Sequence, residues 1–245
     1  MTAPELSVVI PAYNESERLP RSLERIRAFL EGRHTHEIVV VDDGSDDDTA
    51  ERARAVLGPD HPVLRQPRNR GKGAAVRRGM LAARGSRRLM TDADLSTPIE
   101  ELPRLMARMD EGYDVVIGSR ALPDSRIEVH QPWHRENAGR VFNALVRLLV
   151  VRGLADTQCG FKLFSAQAAA DCFGATRLDG FCFDVETLHV ARLRGYRIAE
   201  MGVVWRNDAA SRVTLGRGLL AFSDLLRIRA ASLAGRYSPP GSAGL

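Results

Sequence analysis

Cysteine, aromatic residues and long apolar runs are all scarce in this chain of 245 residues. The three cysteines, Cys159, Cys172 and Cys182, are odd in number and show no CxxC spacing. That excludes a disulfide framework and a cysteine zinc site, and fits a reducing compartment. Aromatic residues make up 6% of the chain, too few for a base-stacking surface, and no zinc-finger spacing is present, so nucleic acid is not an expected partner. No stretch approaches the ~18 to 20 apolar residues that cross a bilayer. The chain enters a strand-like run at Leu6 with no basic segment before it, so a signal peptide and a membrane anchor are not expected. The GxxxxGK[ST] and GxGxxG loops are missing, which removes the usual ATPase and dinucleotide-dehydrogenase signatures. HExxH is missing too, and Pro132 between His130 and His134 argues against a shared helical face.

What remains is an ordinary globular composition, 44% hydrophobic and 27% charged, with a net charge of +4. It supports one large domain, expected over residues 1–237, with a flexible tail at 238–245. Mild basicity fits anionic partners such as nucleotides, phosphates and anionic lipid heads.

Strands and helices alternate through the first half. Residues 6–10 form a β-branched run that reads as a buried parallel strand, and 38–41 and 62–64 as its neighbours. Leu19, Leu23, Ile26 and Leu30 have helical spacing, so a helix is expected over 18–30. A capping box at Ser45–Asp48 opens a helix over 49–57, and a glycine loop at 69–73 opens one over 74–83. Further helices are expected over 99–111, 140–151 and from 183, with strands at 115–117, ending in 118–120, and at about 197–205, and a loop from 121 to about 133. The order predicts a mostly parallel sheet flanked by helices, an α/β fold whose ligands gather outside the carboxyl ends of the strands.

The polar clusters fall at those ends. Asp92 and Asp94 follow a short apolar run and precede Pro98; two hard oxygen donors one residue apart suit Mg²⁺ or Mn²⁺ bridging a diphosphate. Tyr13 can wall a base, Asp42 can accept a uracil imide N–H, and Lys72 brings a cation between Gly71 and Gly73, which let backbone approach a ligand. Leu215, Leu219, Phe222, Leu226 and Leu233 form an apolar stripe with Arg217, Arg227, Arg229 and Arg236 around it, a pattern that suits either packing or the surface of an anionic membrane.

Six segments taken in order, 7–15 (SVVIPAYNE), 41–45 (VDDGS), 69–73 (NRGKG), 92–94 (DAD), 118–120 (GSR) and 156–164 (DTQCGFKLF), resemble the GT-A glycosyltransferases of family 2. The last segment is similar to the dolichyl-phosphate β-glucosyltransferase branch, kin of the polyprenyl-phosphate mannosyltransferases. The likeness spans about residues 5–235. It implies a GT-A fold and inverting transfer of a hexose, glucose from UDP-glucose first, to a polyprenyl or dolichyl phosphate. GDP-mannose, UDP-GlcNAc, a soluble alcohol acceptor and an inactive nucleotide-binding scaffold are the alternatives. It further implies nucleotide-sugar contacts from Pro11, Ala12, Tyr13, Glu15, Asp42, Asp43, Gly71, Lys72, Asp92 and Ala93. Asp92 and Asp94 would hold the Mg²⁺ or Mn²⁺. It also implies a nucleotide-binding half about 1–120 and an acceptor-binding half about 121–237. The acceptor phosphate would meet Arg120, Arg135, Arg140, Gln158 and Lys162, with Asp94, Arg120 and Lys162 as the catalytic residues. An anionic phosphate would need a cationic clamp, which Arg120 with Lys162 could supply, and an alcohol acceptor would need a carboxylate base, for which Asp156 is the candidate. A cytoplasmic enzyme, peripheral on the inner face of a membrane, is expected. One departure is Ser96, where mannosyltransferase relatives often carry Gln as a further metal ligand.

Overall fold

The computed structural model describes residues 3–129, 133–207 and 217–238; of His134, Arg135, Glu136, Ala138, Arg140 and residues 217–221 it describes the backbone alone. The expectations on the Arg135 and Arg140 side chains, on Leu215 and Leu219, and on the tail from 239 lie outside the described residues. In order, the elements are β1 (Leu6–Ala12), α1 (Leu19–Leu30), β2 (His36–Asp42), α2 (Thr49–Leu57), β3 (Val63–Arg65), α3 (Lys72–Ala82) and β4 (Arg87–Met90). A 3-10 turn at Ile99–Glu101 leads into α4 (Leu102–Asp110), β5 (Val115–Ser119), β6 (Arg126–Val129) and α5 (Trp133–Leu149). Then come β7 (Lys162–Ser165), α6 (Ala166–Ala175), α7 (Phe183–Leu193), β8 (Ile198–Gly202), β9 (Val204–Arg206) and α8 (Arg217–Leu233).

Seven strands form one sheet in the order β3-β2-β1-β4-β7-β5-β8, and all its pairings are parallel except those of β7. Both faces are covered, which is why β1 is buried along its whole length. Val8 and Ile10 pack with Leu19, Leu23, Ile26 and Leu30 of α1 and with α4, while Val9 packs on the other face with α3, α6 and α7. The helical spacing in the sequence therefore marks the face of α1 that is buried. Each of those fully buried Leu and Ile side chains contributes about 1.5–3 kcal/mol.

The antiparallel strand decides what the site contains. Lys162 pairs with Met90 of β4 and Ile117 of β5, both near the carboxyl ends of their strands. Because β7 runs against its neighbours, its first residue, and the loop 156–161 before it, arrive at the same rim as the ends of β1, β2, β4 and β5.

Several expectations need correction. The loop expected over 121 to about 133 contains β6, which pairs in parallel with β9 as a separate two-stranded sheet; mostly exposed, it carries no buried-strand pattern. The single strand expected at 197–205 is two strands in two sheets. The Ser45–Asp48 capping box does not form. Asp48 is the N-cap without a side-chain bond, Ser45 turns back to Asp42, and Asp47 accepts from the Thr49 N–H at 3.0 Å. The helix expected from 74 begins at Lys72, and α6 was not foreseen.

Candidate functional site

The rim is built from loops that lock one another. At the end of β1, Asn14 adopts a left-handed φ of 55°; its N–H donates to Ser45 Oγ at 2.9 Å, and the Glu15 N–H to Thr49 Oγ1 at 2.8 Å. Tyr13 stands 37% exposed above this junction. Pro11, Ala12 and Ala93 are buried, so they can offer backbone to a ligand but not side chain. Asp42 lies opposite Ala12 and is fully enclosed. Its Oδ1 accepts from Ser45, and the Arg65 Nε lies 3.2 Å from Oδ2, which has no hydrogen bond and is the one acceptor of this carboxylate left unfilled.

Asp43 has a different use from the one expected. Its carboxylate accepts the N–H groups of Arg70 at 2.9 Å and Gly71 at 2.8 Å together with the Gln66 amide. Burial raises its pKa above the usual carboxylate value despite those bonds. Both oxygens are spent on holding the 69–71 turn rather than presented to a nucleotide. Gly71 is corrected likewise. It has a φ of +107°, and a Cβ there would lie 2.4 Å from the Asp179 carbonyl, so its openness admits the chain's own backbone rather than a ligand.

Lys72 opens α3 and places Nζ 2.5 Å from Asp92 Oδ1. Burial would lower its pKa, but the charges of Asp92, Asp184 and Asp94 raise it. The Thr91 N–H closes β4 against the Val9 carbonyl, after which Leu95 at φ 49° turns the chain and Ser96 N–H donates to Asp94 Oδ1 at 2.9 Å. Burial and then the Asp92 charge raise the Asp94 pKa. Among the described residues no three His, Cys, Asp or Glu side chains form a protein-only metal cage. Two adjacent carboxylates that repel each other do fit an ion such as Mg²⁺ or Mn²⁺, which is held by one or two carboxylates with substrate phosphates filling the rest. The Asp92 cradle is made by Gly160, where a Cβ would lie 1.9 Å from Asp92 Oδ2.

Two further ion pairs flank this one. Arg120 meets Asp156 through Nε at 2.6 Å and Nη2 at 2.9 Å, with the Trp205 ring 5.5 Å from its guanidinium carbon. Among the described residues Nη1 has no partner, and the side chain is 28% exposed. Glu200 accepts the Ala155 and Asp156 N–H groups, both at 2.7 Å, and so fixes the loop beneath. Burial would raise the Asp156 pKa, but the Arg120 guanidinium holds it at about 2. Asp156 is therefore corrected as a base candidate, since it is ionised, enclosed and already paired. Gln158 donates its backbone N–H to Asp156 Oδ1 at 3.0 Å. Lys162 is corrected too. It is 1% exposed, lies 2.6 Å from Asp184 and donates to the Cys159 carbonyl, so it does not reach an acceptor.

The depressed Asp156 pKa gives a stability prediction. A carboxyl lowered from 3.8 to about 2 stabilises the fold fully above pH ~4 and loses that contribution as pH falls towards 2. The full effect is about 2 kcal/mol, of which about 1 is gone by pH 3. Urea unfolding at pH 6 and pH 3 is expected to show Asp156→Asn losing less stability over that interval than the parent, by about 1 kcal/mol.

An open cleft of ≈ 510 Å³ adjoins the acids, with Asp94 in its wall beside Glu17, Arg18, Arg21, Ser22 and Arg52. The sequence signals none of those arginines, because Arg21 and Arg52 occupy the polar faces of the amphipathic α1 and α2, while Arg18 caps α1 and pairs with Glu15. Asp184 and Asp179 were missed as well, since their partners lie far away in the chain.

A family model described as glycosyl transferase family 2 matches residues 7–173. The chain is 38% identical over 243 residues to Dolichyl-phosphate beta-glucosyltransferase ALG5D of Trichomonas vaginalis, covering 91% of this chain and 72% of that protein. It is 36% identical over 250 residues to the human dolichyl-phosphate beta-glucosyltransferase, covering 95% and 77%. In fold it is similar to glucosyl-3-phosphoglycerate synthase from Mycobacterium tuberculosis, crystallised with Mn²⁺, UDP-glucose and glycerol 3-phosphate. The TM-score is 0.65 at 22% identity, over 99% of this chain and 83% of the other.

Proposed function

The chain belongs to glycosyl transferase family 2, and on that premise we propose that it moves glucose from UDP-glucose to a dolichyl or other polyprenyl phosphate, with inversion at the anomeric carbon. The observation that carries this reading is the convergence of Tyr13, Asp42, Lys72, Asp92, Asp94 and Arg120 on one rim of the sheet. Tyr13 walls the uracil, and the unfilled Oδ2 of Asp42 takes its imide N–H once Arg65 swings aside. Glu15 lies beside the ribose. Asp94 and Asp92 hold Mg²⁺ or Mn²⁺, which when bound neutralises the charge left on the UDP leaving group. Lys72 faces the diphosphate. Arg120, pre-aimed by Asp156 and backed by Trp205, offers Nη1 to the acceptor phosphate, with Gln158 alongside.

The pairing of Asp156 also bears on the acceptor. An alcohol needs a base to take its proton, and a carboxyl held at about 2 is a poor one at neutral pH. A lipid phosphate arrives as an anion and needs alignment and a cation instead. This favours the phosphate over the alcohol.

Peripheral membrane contact is part of the proposal. Among the described residues no helix is long and apolar enough to cross a membrane. Val141 and Leu148 of α5, and Phe222, Leu226 and Leu233 of α8, are exposed apolar side chains near Arg147, Arg227 and Arg229. Such a surface suits the cytoplasmic face of an anionic bilayer.

The donor and acceptor are tested together with radiolabelled UDP-glucose, UDP-GlcNAc and GDP-mannose, each given with a polyprenyl phosphate and Mn²⁺. Solvent-extractable label from UDP-glucose is the expected result; label that stays aqueous, or that enters lipid only from GDP-mannose, contradicts it. A second prediction concerns Gly160→Ala. The new methyl must displace the Asp92 carboxylate, so turnover is expected to drop about 10- to 100-fold, while the melting curve reports about 1–3 kcal/mol of overpacking.

A further inference from the structure

Of the ion pairs at the rim, one touches nothing that a substrate reaches. Lys162 and Asp184 are 1% and 5% exposed, and their charged groups lie 2.6 Å apart. Replacing such a pair by apolar residues of similar volume is often neutral or stabilising, so stability alone is a weak reason for its presence. Its connections supply another. Lys162 Nζ also donates to the Cys159 carbonyl. The next residue, Gly160, is packed so closely against Asp92 that no side chain fits between them. From the other side, the segment leading into α7 braces the Lys72 turn. The Asp179 carbonyl accepts the Gly73 N–H at 2.8 Å, and its carboxylate holds Arg77 at 2.5 Å and Arg70 at 3.2 Å. Asp184 follows in the first turn of α7.

We propose that Lys162 and Asp184 are positioning residues for the cation–diphosphate site. Through the Cys159 carbonyl and Gly160 they fix where the Asp92 carboxylate stands. The inference rests on the reading of Asp92 and Asp94 given above. Its physical basis is packing: Gly160 lies so close to Asp92 that the loop and the carboxylate move together, so loosening the Cys159 carbonyl from Lys162 lets the Asp92 oxygens drift from where the ion requires them. Groups that orient a metal ligand from behind affect metal affinity about 10- to 100-fold.

The test is a titration of the full chain with Mn²⁺ in saturating UDP, following the free-ion electron paramagnetic resonance signal, with melting temperature and steady-state kinetics recorded beside it. The double variant Lys162→Met/Asp184→Leu removes both charges and keeps the volume roughly constant. It is expected to melt near the parent, to bind Mn²⁺ about tenfold more weakly, and to raise the KM for UDP-glucose while leaving the acceptor KM unchanged. Parent-like Mn²⁺ affinity in a folded double variant overturns the proposal and leaves the pair a structural one. If the double variant does not fold, Lys162→Met carries the test, because it removes the donor to the Cys159 carbonyl and leaves Asp184 able to take up a proton. A Mn²⁺ dissociation constant about fivefold higher is expected, and one within about twofold of the parent overturns the proposal. Asp94→Asn in the same titration separates the two readings, since parent-level Mn²⁺ binding in that variant overturns the cation assignment itself, whatever the pair variants do.

Discussion

Asp94→Asn is expected to lower turnover about a thousandfold and to raise the melting temperature at the same time. The first effect follows from the loss of a charged ligand to the ion that stabilises the departing UDP, a contribution of several kcal/mol, and about 4 kcal/mol is a factor of ~10³. The second follows from the direction of the Asp94 pKa. Burial, and then the charge of Asp92, raise it, so the ionised carboxylate is less favourable in the fold than in the unfolded chain. That penalty is fully present above the folded pKa and disappears as pH falls below the unfolded value. Asn has the same shape and can still accept the Ser96 N–H through its oxygen, but carries no charge to repel Asp92. Steady-state assays across a Mn²⁺ series and a thermal melt check both halves. A variant that turns over normally at limiting Mn²⁺, or that loses activity only because it melts early, contradicts the assignment.

Arg120 is expected to give the second large effect, on the acceptor side. Arg120→Ala removes the guanidinium that faces the lipid phosphate, and the loss of a charge-assisted bond of about 1.5–3 kcal/mol should lower kcat/KM for the acceptor about 10- to 100-fold. The KM for UDP-glucose is expected to stay within about twofold. The substitution also strands Asp156 in a buried position, which destabilises the fold by about 3–5 kcal/mol. Arg120→Ala/Asp156→Asn removes both charges and is therefore the cleaner variant. It should recover the melting temperature without recovering acceptor use. Arg120→Lys keeps the charge but loses the fork that grips Asp156, and an intermediate loss is expected. An equal rise in the KM of donor and acceptor would place Arg120 on UDP instead.

How much of this was legible in the sequence depended on how local each signal was. β1, β2 and β4 declare themselves as β-branched or apolar runs, and their acids fall where a parallel sheet collects ligands. α1 follows from four apolar residues at helical spacing. The misreadings share a cause. Lys162 reads as an exposed cation until β7 is known to run antiparallel between β4 and β5, which buries it and brings Asp184 to it from 22 residues away. Asp43 reads as a ligand because the N–H groups it satisfies belong to a turn 27 and 28 residues further on. Asp156 reads as a free base until Arg120, 36 residues earlier, is seen to grip it. β6 and β9 pair across the chain with little burial on either strand, so no hydrophobic period announces them. Spacing finds carboxylates and cations, and only the fold decides which are spent on each other.

The account turns on Asp42, Lys72 and Asp94 serving one bound uridine diphosphate and its cation. A crystal of the full chain soaked with UDP and Mn²⁺ addresses this directly through the anomalous signal of manganese. The peak is expected within about 2–2.5 Å of an Asp94 carboxylate oxygen, the range of hard cations on oxygen, with the uracil between Tyr13 and Asp42 and the diphosphate facing Lys72. A manganese peak away from Asp92 and Asp94, or a uracil bound elsewhere on the molecule, contradicts it.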